Sequence, residues 1–317
     1  MITPHLTALP FGITCIDTGL FRPRLAAAYL LQHNGKAAIV ETGVTNTVPR
    51  ILNALSNKDV APEDVLFVIP THVHLDHAGG AGALMQKFPN ARLIVHPRGA
   101  RHMIDPSRLW AGSVDVYGED MLDRAYGRPL PVQAARVTIA DDGFELDMAG
   151  RLLKFIDTPG HARHHFSVYD EMSRGFFSGD TFGISYRETD SAQGAYMLPT
   201  TTPVQFDPEA WHQSLDRYLT FKPERMYLTH FSMVEGIPAL AAALRRALDD
   251  YVAMARKFAH DEHRDRKLRA ALLQYTLDGL RAHQCPLQEP TLRGLLDMDM
   301  NLNTQGLGMW LDSNQLT

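Results

Sequence analysis

The sequence contains little cysteine. Its two cysteines, Cys15 and Cys285, lie far apart in a chain of 317 residues, which excludes the disulfide framework of small secreted domains. The sequence also lacks an apolar run of the roughly 18 residues that a membrane-spanning helix needs. Its first residues lack a basic segment followed by a continuous apolar one. We therefore expect a cytoplasmic protein that has no membrane partner.

Positive charge is not in excess either. The chain has 31 Lys and Arg residues against 36 Asp and Glu residues, a formal charge of -5. Proteins that bind nucleic acid usually carry a basic surface, so a nucleic-acid partner is not expected. Hydrophobic residues make up 45% and charged residues 21% of the sequence, which is typical of a globular protein. A compact chain that acts on a small molecule fits this composition.

The first third of the sequence alternates strand and helix signals. Residues 25–43 predict a hairpin, because Asn34-Gly35 between two apolar runs favours a type I′ turn. A helical pattern follows in "NTVPRILNALSNKD", then a buried strand in "VLFVIPTH", a helix in "AGGAGALMQKFP" and a strand in "ARLIVHP". The predicted order is β-β-α-β-α-β, which indicates an α/β fold.

The predicted secondary structure changes twice along the rest of the chain. Residues 98–135 lack a sustained period, and we expect loops and short helices there, which leaves open a lid over the site. Strands are then predicted in "FELDMAGRLLKFIDTPGH", "HHFSVYDEMSRGFFSGDTF" and "RMYLTHF". From about residue 234 the sequence favours helices. We therefore predict a catalytic domain at 1–233 and a helical extension at 234–317, whose apolar stripe packs on the same chain or in a homodimer.

The stretch "PTHVHLDHAGG", residues 70–80, is dense in metal-ligand types. His72 and His74 lie two residues apart and project to one side of an extended segment, so both can reach one ion. Asp76 and His77 follow where the chain turns. Further ligand types come after later strand signals: His161 in "TPGH", Asp180 in "FFSGD" and His230 in "YLTH". Imidazole and carboxylate ligands suit Zn, Fe or Mn, and the set contains no thiolate.

These motifs resemble, in their order, those of the metallo-β-lactamase superfamily. The resemblance rests on "THVHLDHAGG", "DTPGHARHH", "FSGDT" and "LTHF" and covers roughly residues 12–233. It implies an αββα sandwich that holds two metal ions at one edge of its facing sheets. Zinc is the ion expected by default, with iron or manganese as alternatives.

The resemblance also assigns roles to individual residues. It implies that His72, His74 and His161 hold the first ion, that Asp76, His77 and His230 hold the second, and that Asp180 bridges them. Asp76 is also the candidate catalytic residue, because a carboxylate can orient the attacking hydroxide or accept its proton. Glu41, where relatives often carry Asp, and His165 are expected to support the ligands without binding metal. His164 is expected to be a surface or packing residue.

Two bridged ions predict hydrolysis by a hydroxide that attacks a carbonyl group. The helical segment after the last ligand is similar to that of glyoxalase II-type thioesterases, so a thioester or ester is the expected substrate. Candidate substrate contacts are Tyr186, Arg187 and Tyr196. Three alternatives stay open: a lactonase of the same fold, a persulfide dioxygenase with one iron on His72, His161 and Asp180, and a metal-binding regulator without catalytic activity. Flavodiiron and RNA-processing activities are disfavoured.

Overall fold

The computed structural model describes residues 6–314, and their fold comprises two compact units. Within the described residues the first unit contains 6–157, His164–Gly179 and Pro223–Met233. The second contains Thr158–Arg163, Asp180–Lys222 and 234–314. One division falls at the domain boundary predicted from the sequence, between residues 233 and 234. Two earlier segments are grouped with the helical tail, and the predicted two-domain assignment stays a prediction.

Thirteen strands in the described part of the chain form two mixed sheets. The first sheet has the order β1-β2-β3-β4-β5-β6-β7, and the second has the order β13-β12-β11-β10-β9-β8. The strands are β1 (Leu6–Leu9), β2 (Ile13–Asp17), β3 (Ala27–His33), β4 (Lys36–Val40), β5 (Val65–Ile69), β6 (Arg92–Val95), β7 (Val137–Ile139), β8 (Glu145–Met148), β9 (Arg151–Asp157), β10 (Phe166–Asp170), β11 (Gly175–Gly179), β12 (Arg225–Leu228) and β13 (Ser232–Glu235). In the first sheet β1 to β4 are antiparallel, and the pairs from β4 to β7 are parallel.

The predicted hairpin is confirmed. Strands β3 and β4 pair from Tyr29 opposite Val40 to His33 opposite Lys36. Asn34 and Gly35 connect them with positive φ angles of 45° and 72°, the conformation that a type I′ turn requires. The hairpin matters for the site because β4 ends directly before Glu41.

A shared apolar core joins the two sheets of the first unit. Tyr29 and Ile69 from the first sheet and Phe155, Phe166 and Phe177 from the second belong to one buried cluster. Side chains alternate between the faces of a strand, so the opposite face of the first sheet is buried separately. There it packs against helices of the same unit. Buried residues of this cluster lie in α1 (Val48–Asn57), α2 (Leu75–Ala78), α3 (Ala81–Lys87) and α4 (Ala100–Ile104), and the first unit also contains α5 (Ser107–Tyr117) and α6 (Glu119–Ala125).

The second unit is helical, as the tail sequence predicts. Its helices are α7 (Pro208–Thr220), α8 (Ile237–Phe258), α9 (Arg264–Ala282) and α10 (Glu289–Asn314). In the part of the chain that the structure describes, no helix combines the length and the apolar character that a membrane span requires.

Two helices form where the local sequence signal for a helix is weak. Helix α5 has 11 residues, but none of residues 107–115 is buried, so packing imposes no apolar period on its sequence. Helix α10 has 26 residues although its second half contains Gly306 and Gly308, which have low helix propensity. Gly306 lies against the Thr201 carbonyl, where a β-carbon would collide. Tertiary packing therefore supports α10 across its glycines, whereas α5 forms without a buried side chain at 107–115.

Candidate metal centre

Three predicted ligands lie together in the first unit. Asp76 and His77 belong to α2, which follows β5, and His230 lies two residues after β12. The Asp76 Oδ2 atom is 3.6 Å from His77 Nε2 and 3.4 Å from His230 Nε2. His77 is fully buried and His230 nearly so, whereas the Asp76 side chain is 25% exposed. One carboxylate oxygen thus faces two imidazole nitrogens.

Hydrogen bonds on the far side of each ring determine which nitrogen carries the proton. His230 Nδ1 lies 2.8 Å from the carbonyl oxygen of Leu25, which can only accept. His77 Nδ1 lies 3.0 Å from Glu41 Oε1, which accepts as a carboxylate. Both rings therefore donate from Nδ1, and in the neutral imidazole this leaves Nε2 unprotonated. The two Nε2 lone pairs point toward the Asp76 carboxylate.

The Glu41 carboxylate connects the segments that carry the ligands. Besides His77, it accepts hydrogen bonds from the Thr71 amide at 3.1 Å, the Thr71 hydroxyl at 2.5 Å and the Thr229 hydroxyl at 2.9 Å. Glu41 is buried. The two threonines immediately precede His72 and His230. We name these four residues, Glu41, Thr71, His77 and Thr229, the Glu41 clamp.

The same clamp orients His72. The Thr71 hydroxyl uses its proton in the bond to Glu41, so it can only accept from His72 Nδ1, which lies 3.1 Å away. This leaves His72 Nε2 unprotonated, 3.0 Å from His74 Nδ1. His74 can donate a hydrogen bond across that distance, and a cation bound by both nitrogens would replace its proton.

The chemistry of these donors fits a divalent cation. Asp76, His77 and His230 each offer one ligand atom, and these atoms lie within 4.8 Å of one another. Two unprotonated nitrogens and a carboxylate oxygen repel one another electrostatically unless a proton or a cation lies among them. Imidazole held by an outer hydrogen bond to a carboxylate or carbonyl is the usual arrangement of a metal-binding histidine. The site can therefore hold a metal ion, whose identity the donors leave open among Zn, Fe and Mn.

The second unit carries the other two predicted ligands, His161 and Asp180. Both are buried, and His161 Nε2 lies 3.5 Å from Asp180 Oδ2. His161 Nδ1 is 2.8 Å from the carbonyl oxygen of Thr200. This imidazole also donates from Nδ1 and directs an unprotonated Nε2 to a carboxylate, as His77 and His230 do in the first unit.

Helix α7 holds the loop that carries His161. The Asp207 amide, next to the first turn of α7, donates to the Gly160 carbonyl at 2.8 Å. The Ser214 hydroxyl donates to the Pro159 carbonyl at 2.6 Å. Gly160 has a φ of 131°, and a β-carbon at this position would collide with Trp211. The Pro-Gly dipeptide of "TPGH" therefore lets the loop approach the helix closely.

Two further histidines lie beside the ligands of the first unit. The ring of His165, predicted to support the ligands, is buried 4.9 Å from the ring of His72. His164 is also buried, and its ring lies 5.4 Å from that of His74 and 6.1 Å from that of His72. The sequence predicts only a surface or packing role for His164, and the pair His164-His165 in "GHARHH" is its one signal of a place beside the ligands.

The three candidate substrate contacts lie in the second unit. Tyr186 is buried and its hydroxyl lies 3.0 Å from both carboxylate oxygens of Asp299. Arg187 lies 3.4 Å from Asp190. Burial raises the pKa of Tyr196 to about 12, so this hydroxyl stays protonated at neutral pH. A substrate-binding role for the three stays a prediction.

Replacement of Gly179 by alanine is expected to damage the centre. Gly179 has a φ of 51°, and an added β-carbon would meet His165 Nε2 and Thr71 Oγ1. The collision would displace Thr71 from the Glu41 clamp, so we expect lower metal content and a lower melting temperature. Gly143→Ala is the control, because its φ is 80° but the space around it is open. It carries only the backbone strain, about 1–2 kcal/mol. Equal metal content in the two variants would contradict this account.

Comparison with known proteins identifies a family. The profile described as "Metallo-beta-lactamase superfamily" matches residues 21–230. The metallo-beta-lactamase fold-containing protein ST1585 of Sulfurisphaera tokodaii is 26% identical over 217 residues, 67% of this chain and 75% of that protein. A hydroxyacylglutathione hydrolase of Synechococcus is 32% identical over 163 residues, 50% of each chain. The alignment thus spans about half the length of that relative.

Solved structures share the fold. The crystal structure of ST1585 superposes with a TM-score of 0.65 at 22% identity and covers 93% of this chain and 98% of its own. That of the metallo-beta-lactamase family protein TTHA1429 of Thermus thermophilus gives 0.65 at 19% identity, with 98% and 92% covered. The predicted fold class, an αββα sandwich with C-terminal helices, is confirmed.

Proposed function

The chain belongs to the metallo-β-lactamase superfamily of hydrolases, and from that premise we propose that it hydrolyses a small thioester or ester with two divalent metal ions, zinc by preference. The ligands are the seven side chains that the sequence predicts: His72, His74, Asp76, His77, His161, Asp180 and His230. The similarity to hydroxyacylglutathione hydrolases supports a thioester substrate. The whole activity is proposed, since those relatives are matched over about half of their length.

One observation carries the proposal. The rings of His77 and His230 both donate from Nδ1, to Glu41 and to the Leu25 carbonyl, and both present Nε2 to Asp76. A histidine that serves packing alone needs no such common orientation. When bound, two divalent ions lower the pKa of a water molecule toward neutrality and polarise a carbonyl oxygen.

The chain's own residues supply the remaining chemistry. Asp76 is the acidic group of the first-unit ligands that solvent reaches, with 25% of its side chain exposed. We assign to it the orientation of the attacking water and acceptance of its proton, as a carboxylate within hydrogen-bond reach can do. While this proton moves, the buried Glu41 clamp keeps the proton of the His77 ring on Nδ1 through Glu41, and that of the His72 ring on Nδ1 through Thr71. His72 and His77 are fully buried, which limits competing water around them.

The test is elemental analysis of the purified protein followed by a substrate panel. We expect two equivalents of metal, hydrolysis of thioesters such as S-lactoylglutathione ahead of lactones, and negligible phosphodiester cleavage. A chelator should abolish turnover, and zinc should restore it. Turnover of lactones alone would assign the lactonase alternative.

The same panel addresses the other classes. A single iron with oxygen uptake on glutathione persulfide would replace the proposal with the dioxygenase alternative. Bound metal with no turnover of any carbonyl substrate would indicate the regulator.

A further inference from the structure

Helix α10 is hydrogen-bonded to residues 199–201, the segment whose Thr200 carbonyl accepts from His161. The side chain of Asn303 is buried and bonds to both neighbours of Thr200. Its Nδ2 donates to the Pro199 carbonyl at 3.1 Å, and its Oδ1 accepts from the Thr201 amide at 2.6 Å. Between these two anchors lies the Thr200 carbonyl, which accepts from His161 Nδ1 at 2.8 Å.

We propose that Asn303 is a positioning residue for His161: through the Thr200 carbonyl it fixes the direction of the ring and the tautomer, with the proton on Nδ1. The bonds on either side of Thr200 determine the planes of both peptide groups and hence where its carbonyl oxygen points. That oxygen can only accept, so it keeps the proton on His161 Nδ1 and directs Nε2 to Asp180, 3.5 Å away. The significance for metal binding rests on the proposed function.

The chemistry of this position selects asparagine. The segment offers a carbonyl that needs a donor and an amide that needs an acceptor, and a primary amide supplies both from one short side chain. An aspartate in its place would accept from Thr201 but could not donate to Pro199. The Thr201 hydroxyl adds a contact to Asn303 Oδ1 at 3.1 Å.

The rest of the helix face supports the same role. Gly306, three residues after Asn303, lies so close to the Thr201 carbonyl that any β-carbon would collide with it. Asp299, four residues before Asn303, accepts from the Tyr186 hydroxyl at 3.0 Å. Positions 299, 303 and 306 share one face of a helix. The C-terminal helix thus holds the segments that follow Asp180 and that support His161.

The experiment compares Asn303→Leu, which removes both bonds, with Asn303→Asp, which removes only the donation to Pro199. Asn301→Leu is the matched control, because Asn301 lies on the same helix and bonds to Arg269 and Asp297 instead. The first measurement is the histidine ring spectrum of the metal-free protein by long-range ¹H–¹⁵N correlation. The His161 signals are assigned by their loss in His161→Gln. The second is the rate at which the loaded protein releases metal to a chelator.

We expect the His161 ring in Asn303→Leu to lose its pure Nδ1–H pattern, and metal release to accelerate about 10- to 100-fold. Asn303→Asp should be intermediate, and Asn301→Leu should match the wild type. An unchanged His161 spectrum in the folded Asn303→Asp or Asn303→Leu protein overturns the proposal. A changed spectrum with unchanged metal release would still support the positioning role of Asn303. It would contradict the ligand role of His161 and therefore the proposed function.

Discussion

The Glu41→Gln variant is expected to lose metal and stability together. Glu41 accepts four hydrogen bonds in the buried clamp, three at Oε1 and one at Oε2. The glutamine amide replaces one of the two oxygens by an NH₂ donor. At the Oε2 position this donor faces the Thr71 amide, and at the Oε1 position it faces the other three donors. Each buried donor left unsatisfied costs about 1–3 kcal/mol. In the second orientation His77 loses its acceptor, and in the first it keeps only an uncharged amide oxygen, so we expect metal affinity to fall about 10- to 100-fold.

Chemical denaturation and metal competition against a chromophoric chelator measure the two effects. Glu145→Gln is the control, because Glu145 is exposed and pairs with Lys154 at 2.8 Å, and an ion pair in contact with solvent contributes little to stability. Glu41→Asp keeps the charge but is one methylene shorter, and its affinity should lie between wild type and Glu41→Gln. Metal affinity and stability of Glu41→Gln equal to those of Glu145→Gln would show that the clamp does not act on the ligands.

Strands and their order followed from the sequence where a local signal was strong. The Asn34-Gly35 turn and the apolar run of β5 are such signals, and both elements form as predicted. Helix α10 extends through Gly306 and Gly308 against local preference, because it is supported by contacts such as Gly306 against Thr201, which link residues a hundred positions apart. A sequence window reports local preference and cannot contain such contacts.

The same distinction between local signals and long-range contacts applies to the candidate site. The three histidines and the aspartate in "THVHLDH" can be recognised in the sequence because such side chains are unusual after a buried strand. The atoms that determine which nitrogen of His230 and of His161 carries the proton are the carbonyl oxygens of Leu25 and Thr200. Every residue has a carbonyl, so sequence offers no sign of which one a histidine will use. The Thr-His dipeptides at 71–72 and 229–230 can be recognised in the sequence, but only the fold shows that both threonine hydroxyls donate to Glu41.

Replacement of Asp180 by alanine is expected to have the largest effect on catalysis. In the proposed centre Asp180 would be a ligand of both ions, whereas Asp76 would be a ligand of one. Asp180→Ala should therefore lose both equivalents of metal, and Asp76→Ala should keep one. Because metal ions contribute several kcal/mol to such hydrolyses, turnover of Asp180→Ala should fall by about a thousandfold or more. Elemental analysis after dialysis and initial rates with a thioester measure both.

The control His164→Ala alters a buried histidine beside the ligands that the proposed set omits. It should retain two equivalents of metal, so metal loss equal to that of Asp180→Ala would contradict the ligand assignment. Retention of one equivalent in Asp180→Ala would argue against the bridge and for independent sites. A double variant then identifies the site that still holds the remaining ion. His230→Ala in the Asp180→Ala background should remove this ion only if it is bound by Asp76 and His77.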